Sequence, residues 1–321
     1  MIDSFGRTIS YLRISVTENC NLCCRYCRSP QDRTLPEMPL SYEALLTICQ
    51  AAVRQGIRYF KVTGGEPLLR PGILSFLRRL KQMAHVESVT ITTNGILLSS
   101  YLPELQHIGI DGINISLDTL DERQFSWLTG GAHLHTVLKA IRQSSVSGIP
   151  TKVNAVLLTE TCSQVLPLAR LAENFPVDLR FIELMPIGKG AGYSGNTQDE
   201  VQQQLRQVYS DLTLSHECRG HGPAVYYRSA VLQGRIGFIS ANSHSFCRSC
   251  NRMRLTSRGF LKPCLCYGEG IDLRPLLAAG REEGQQLDAA FCRAVRNKPK
   301  GHCFSVPASV TERRGMNVIG G

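Results

Sequence analysis

The sequence predicts an α/β fold: an incomplete (β/α)6 parallel barrel followed by a smaller C-terminal module. Three observations carry this. Short apolar strands alternate six times with helical segments between residue 11 and about residue 184. The alternation stops after residue 185, where Gly188, Gly190, Gly192 and Gly195 mark a flexible connection. Eight of the 13 cysteines fall in two tight groups, 20–27 and 247–266, one in each part. Strand–helix repeats with short connections require a parallel sheet with helices outside it, and six repeats suit an open barrel better than a closed eight-fold one. The division is placed at residues 1–222 and 223–321.

The elements follow in order. A strand over 11–17 puts Leu12, Ile14 and Val16 on one face. A helix over 41–55 repeats Ala44, Leu45, Ile48 and Ala52 at helical spacing, with Ser41 as N-cap and Gly56 as its stop. A strand over 57–62 leads to a helix over 71–83, with Pro71 in the first turn. Strands over 88–92 and 112–117, a helix over 133–147, a strand over 151–158, a helix over 165–174 and a strand over 178–184 complete the repeats. Beyond the connection come a polar helix over 197–208, a hairpin of 224–228 with 234–239, and helices over 273–279 and 283–296. Parallel α/β folds gather ligands at the C-terminal ends of their strands, so the residues ending each strand are the functional candidates.

The formal charge of +10 calls for an anionic partner. The basic residues are not gathered in runs, so a polyanionic small molecule such as a nucleoside triphosphate suits the charge as well as nucleic acid does. No apolar run is long enough to span a bilayer, and the first residues lack the apolar core of a secretory signal. The expectation is a cytoplasmic protein without membrane contact. A disulfide framework would scatter its cysteines, whereas clustering in a reducing compartment points to metal. Cys49, Cys162, Cys218, Cys292 and Cys303 stand alone and read as ordinary thiols.

Cys20, Cys24 and Cys27 make a Cys-x3-Cys-x2-Cys set just after the first strand. Three thiolates at this spacing can hold three corners of a cubic iron–sulfur cluster and leave one iron open to a chelating small molecule. A zinc site would want a fourth ligand, and only Asp32 follows closely. Cys23 offers a second spacing but is taken as a bystander. After the second strand, Gly64-Gly65-Glu66-Pro67 lets the backbone approach a ligand and expose its polar groups. In the second group, Cys247-x2-Cys250 is followed after 13 residues by Cys264. This is a second open cluster, or a zinc site closed by Cys266. Arg252 and Arg254 lie between these cysteines, as guanidinium groups suited to clamping phosphate oxygens.

The first cysteine set, with Tyr26 before its last member and Gly64-Gly65-Glu66-Pro67 downstream, resembles the radical S-adenosylmethionine (SAM) enzymes. With the second cysteine spacing, Arg252-Met253-Arg254 and the Gly320-Gly321 tail, nearly the whole chain resembles the GTP 3′,8-cyclase family. Thr92-Thr93-Asn94-Gly95, Asn114-Ile115-Ser116-Leu117-Asp118, Lys152-Val153-Asn154 and Arg180-Phe181-Ile182-Glu183-Leu184-Met185-Pro186 extend the likeness.

The resemblance implies a barrel of the radical SAM type with an auxiliary-cluster module. It implies two [4Fe–4S] clusters, on Cys20, Cys24 and Cys27 and on Cys247, Cys250 and Cys264. SAM would contact Tyr26, Gly65, Ser116 and Met185. GTP would be held by Arg13, Lys61, Thr92, Lys152, Arg252, Met253 and Arg254, and the Gly320-Gly321 tail would enter the cavity as part of the catalytic apparatus. The implied reaction is a lyase step of molybdenum-cofactor biosynthesis. A 5′-deoxyadenosyl radical takes hydrogen from C3′ of GTP, and the carbon radical closes on guanine C8 to give 3′,8-cyclo-7,8-dihydro-GTP. A flavodoxin or ferredoxin as reductant, a cyclic pyranopterin monophosphate synthase as consumer of the product, and a monomer or homodimer complete the expectation.

Glu18-Asn19 and Arg28-Ser29-Pro30 depart from the family pattern beside the first cysteines, and Cys23 and Cys266 are unusual neighbours. Two rivals remain at this point. One is a divergent radical SAM paralogue acting on a peptide or other substrate. The other is a two-site zinc protein that binds RNA.

Overall fold

A computed structural model describes residues 1–28, 38–278 and 282–321. Its centre is a run of six parallel strands in chain order: β1 (Tyr11–Ser15), β2 (Tyr59–Thr63), β3 (Ser88–Thr93), β4 (Gly112–Ser116), β5 (Thr151–Leu157) and β6 (Asp178–Glu183). Helices α1 (Tyr42–Arg54), α2 (Ile73–Lys81), α3 (Leu98–Ile108), α4 (Glu122–Thr129), α5 (Leu134–Ser145) and α6 (Val165–Asn174) provide the crossovers. Leu12, Ile14, Val62, Ile91, Ile113 and Val153 from the strands share one continuous core with Leu45, Phe76, Leu105, Val137 and Leu168 from the helices. The sheet therefore buries one face under helices and keeps the other for polar side chains.

The predicted strands all form. Ser41 caps α1 by accepting from Ala44 N–H at 3.1 Å. Pro71 is a correction: Gly72 holds φ 80, which no helical residue can, so α2 begins beyond both. Helices α3 and α4 were not anticipated, although Leu98, Leu102 and Leu105 repeat at helical spacing and Asp121 caps α4 by accepting from Gln124 N–H at 2.7 Å.

The C-terminal third extends both edges of this same sheet. After α7 (Gln198–Val208), strands β7 (Thr213–Ser215), β8 (Val225–Arg228) and β9 (Ile236–Ile239) follow, and β9 pairs in parallel with β6. The predicted hairpin is β8 against β9. At the opposite edge, β10 (Arg252–Leu255) pairs in parallel with β1, and β11 (Phe260–Lys262) and β12 (Ile271–Asp272) follow antiparallel. The described sheet thus has twelve strands, and the division at residue 222 does not interrupt it. Helix α8 (Glu283–Arg296) leans on α1 through the Arg54–Asp288 ion pair. The expected helix over 273–279 is only a single tight turn at Pro275–Ala278, and Ala279 lies outside the described residues.

A second, smaller core of Ile187, Ala241, Cys266, Phe304, Val310 and Ile319 seats the last residues, including α9 (Met316–Ile319). Beside it Lys262 and Glu312, both fully buried, form an ion pair that Arg314 shares. Burial alone would raise the Glu312 pKa, but hydrogen bonds from Arg314 and Lys262 outweigh it and hold the carboxyl down to about 2. A depressed carboxylate stabilises the fold above its unfolded pKa, near 4.5, and loses that contribution as pH falls through about 2. Glu312→Gln is therefore expected to cost about 3–5 kcal/mol at pH 7 by leaving Lys262 buried without its anion. The gap between the urea midpoints of the two proteins should hold from pH 7 to about pH 5 and narrow as pH falls from about 4.5 toward 2.

Candidate active site

One cavity of about 340 Å³ opens on the polar face of the sheet. Cys20, Cys24 and Cys27 line it from the loop after β1, and Cys247, Cys250 and Cys264 line it from the loops around β10 and β11. The two sulfur-rich groups thus face a single chamber.

The first loop is held by backbone contacts that only glycine permits. Gly65 N–H donates to Thr17 O and Glu66 N–H to Asn19 O, each at 2.7 Å. A Cβ on Gly65 would lie 2.3 Å from Asn19 O, and one on Gly64 would lie 2.6 Å from Thr17 O. The two glycines therefore admit the cysteine loop itself, besides lining the cavity. Glu66 then fastens the next strand end, accepting from Asn94 N–H at 2.7 Å and Thr93 Oγ1 at 2.8 Å. Burial pushes its carboxyl up to about 7, against these hydrogen bonds. Tyr26 Oη donates to Asp118 Oδ2 at 2.7 Å, and burial raises Asp118 to about 6.

The departures near this loop have partners. Glu18 accepts from Arg258 Nε and Nη2 at 2.7 and 2.8 Å, tying the loop to the segment after β10. Arg28 Nη2 donates to Cys20 O at 3.4 Å; Ser29 and Pro30 lie outside the described residues. Cys23 is turned away, its N–H on Thr129 O at 2.8 Å and its Cβ 3.7 Å from where a Cβ on Gly130 would stand.

Among the described residues, no three His, Cys, Asp or Glu side chains converge tightly enough to hold a single ion. Three thiols in each group are the donor set that an iron–sulfur cube with one open iron takes.

Between the two thiol groups stand the cations. Arg13 on β1, Lys61 on β2, Arg180 on β6, and Arg252 and Arg254 on β10 all line the chamber. Burial, then the charges of Arg180 and Arg13, push Lys61 well below its ordinary pKa. Arg254 falls to about 9 through burial and the nearness of Arg13 and Arg252, and Arg13 falls to about 10, again chiefly through burial. Two buried atoms here, Arg13 Nε and Thr92 Oγ1, lack any hydrogen-bond partner. Such a cluster of cations and orphaned donors suits a polyanion.

Gly65, Ser116 and Met185 also line the cavity. Met253 also lines the cavity, while its side chain, on the opposite side of β10 from those of its arginine neighbours, packs in the main core. One expectation is corrected. Lys152 is not on the cavity wall; its ammonium donates to Arg219 O and to Tyr226 Oη at 3.0 Å. Arg180 was missed as a candidate, although it sits in a strand among apolar neighbours; its guanidinium donates to Asn154 Oδ1 at 2.8 Å and to Asn114 Oδ1. Lys298 was also missed, and its ammonium braces the module by donating to Arg252 O at 2.8 Å and Pro263 O at 2.6 Å.

The tail reaches the same place. Gly320 O accepts from Arg254 Nη1 at 2.7 Å, while Gly321 O accepts from Thr63 Oγ1 at 2.8 Å and from Arg13 Nη2. Gly320 holds φ 81, and a Cβ there would lie 3.0 Å from Ser15 Cβ.

A partial βα barrel with an open three-thiol loop at its mouth is a radical SAM fold, and residues 14–172 match the Radical SAM superfamily. Residues 177–304 match a family described as Molybdenum Cofactor Synthesis C. Over its whole length the chain is 37% identical to a GTP 3′,8-cyclase of Clostridium perfringens, covering all of that protein. It is 40% identical to one of Heliobacterium modesticaldum, also with full coverage of both. The chain belongs to the GTP 3′,8-cyclase family. Among solved structures, SuiB of Streptococcus suis bound to S-adenosylmethionine superposes with a TM-score of 0.65 over 96% of this chain and 76% of that one, at 15% identity. That likeness concerns the fold.

Gly320→Ala is expected to displace the tail, because alanine resists φ 81 and its methyl meets Ser15. Product formation should fall by about a hundredfold, as for other small misplacements at a reacting centre. The thermal midpoint should stay within a few degrees, which differential scanning calorimetry would check.

Proposed function

We propose that this protein converts GTP to 3′,8-cyclo-7,8-dihydro-GTP, the opening reaction of molybdenum-cofactor biosynthesis. The observation that carries this reading is the convergence of Arg13, Lys61, Arg180, Arg252 and Arg254 between two groups of three thiols on one chamber. Cys20, Cys24 and Cys27 would hold one [4Fe–4S] cluster, and Cys247, Cys250 and Cys264 the other. When bound, the clusters and SAM supply one-electron reduction and the means of removing a hydrogen atom from C3′ of the ribose.

The chain's own residues bind and orient. The five cations grip the triphosphate by charge-assisted hydrogen bonds, with Thr92 supplying a further donor. Tyr26, Gly65, Ser116 and Met185 form the SAM side of the cavity. Residues 223–321 act as the module that receives the guanine, and Lys298 and Glu18 keep that module registered against the barrel. The sugar is then fixed between base and phosphates, so that C3′ and C8 meet in a cavity with little water. The Gly320-Gly321 segment closes the remaining space.

A flavodoxin or ferredoxin is the expected electron donor, and a cyclic pyranopterin monophosphate synthase the consumer of the product. Among the described residues no helix is long and apolar enough to cross a membrane. Cytoplasmic work fits that and the reduced thiols the chemistry needs.

Anaerobic incubation of the reconstituted protein with GTP, SAM and dithionite should yield 5′-deoxyadenosine together with a cyclised nucleotide. Deoxyadenosine without any GTP-derived product would favour a divergent radical SAM enzyme with another substrate. Arg252→Ala and Arg254→Ala should each weaken GTP binding about tenfold to a hundredfold. SAM cleavage should remain measurable in both variants. Equal loss of GTP binding and SAM cleavage would count against separate sites for the two molecules.

A further inference from the structure

Two cysteines besides the six expected to hold clusters meet at the edge of the C-terminal module, and one of them, Cys266, also lines the chamber. Cys266 follows β11 and is fully buried, while Cys303 follows α8 and is partly exposed. Their Sγ atoms stand 3.2 Å apart across 37 residues of chain. The approach is fixed from several sides. Cys303 N–H donates to Cys266 Sγ at 3.4 Å, Cys303 Sγ donates to Ser309 O at 3.0 Å, and Tyr267 Oη donates to Gly301 O at 3.1 Å. Cys303 does not stand alone, as its isolation in the sequence suggested.

We propose that Cys266 and Cys303 are a disulfide-forming thiol pair that takes up oxidising equivalents beside the second cysteine loop. A disulfide needs its sulfurs about 2.05 Å apart, so closing the gap asks for about 1.2 Å of side-chain movement. The exposures assign the roles. Cys303 is the thiol a small oxidant reaches, and buried Cys266 resolves the product. With a low-molecular-weight disulfide such as oxidised glutathione, the Cys303 thiolate attacks one sulfur and releases a first glutathione thiolate. Cys266 then attacks Cys303 Sγ, the mixed disulfide breaks, and a second glutathione thiolate leaves. Both cysteine protons end on the two released thiols. Two electrons pass from the pair to the small disulfide, which is reduced.

The bond would join two supports of the second thiol group. Cys266 lies two residues from Cys264, and Cys303 follows His302, whose N–H donates to Cys247 Sγ at 3.4 Å. Both partners border the small core that seats Ile319. This inference does not depend on which substrate the chamber takes.

The test uses the anaerobic iron-loaded protein in glutathione buffers of increasing oxidised fraction, acid quenching, alkylation and peptide mass spectrometry. A peptide cross-linked through Cys266 and Cys303 should be the first disulfide to appear, before any iron is released. Cys266→Ser should accumulate a glutathione adduct on Cys303, and Cys303→Ser should leave Cys266 reduced. The proposal is overturned if iron leaves before the cross-link forms or if Cys266 joins Cys264 instead. It is also overturned if Cys303→Ser leaves Cys266 oxidised as fast as before. Serine variants that lose iron before oxidant is added would make these residues cluster ligands and sink it equally.

Discussion

The parallel pairing of β10 with β1 is the constraint from which the site follows. Its register sets Tyr11 opposite Arg252 and Arg13 opposite Arg254. Residues some 240 positions apart thereby present their guanidinium groups side by side on the sheet's polar face. The same pairing sets Cys250, two residues before β10, and Cys264, two residues after β11, beside the start of β1. The second thiol group therefore faces the chamber from the end opposite the first cysteine loop, which follows the end of β1. Lys298 and the Glu18–Arg258 pair reinforce this junction from either end.

At the other edge a single carboxylate reinforces the pairing of β9 with β6. Glu183 closes β6 and accepts from Gln198 N–H at 2.9 Å, Asn242 N–H at 2.7 Å and Ser243 N–H at 3.0 Å. One buried side chain thus anchors the start of α7 and the turn after β9 to the barrel's last strand. An acceptor-only group in that position can satisfy several backbone donors at once, which no apolar residue could do.

The barrel was legible because its strands are buried by helices on one face. That burial leaves the short apolar runs and glycine stops that mark 11–17, 57–62 and 151–158 in the sequence. Strand β10 was not legible, and the reason is physical. A strand that lines a cationic chamber carries arginines on its inner face, so Arg-Met-Arg-Leu reads as a polar loop until its partner is known. Arg180 was passed over although its strand over 178–184 was predicted. Lys152 failed differently: the acceptors that draw it off the wall belong to Arg219 and Tyr226, far away in sequence. The six thiols were singled out by their spacing and the terminal glycines by the resemblance, and both sets reach the chamber. The meeting of Cys266 with Cys303 leaves no spacing signal at all.

The crowding of cations has a cost that the resting molecule offsets only in part. Arg13, Lys61 and Arg254 are each held below their ordinary proton affinity, and the carbonyl oxygens of Gly320 and Gly321 accept from the two arginines, with Thr63 Oγ1 also accepting from Arg13. The lodging of those glycines also bears on how the protein is handled. A purification handle fused after Gly321 would have to thread past Thr63 and Arg13 or pull the segment out of its seat, so affinity tags belong at the other end of the chain.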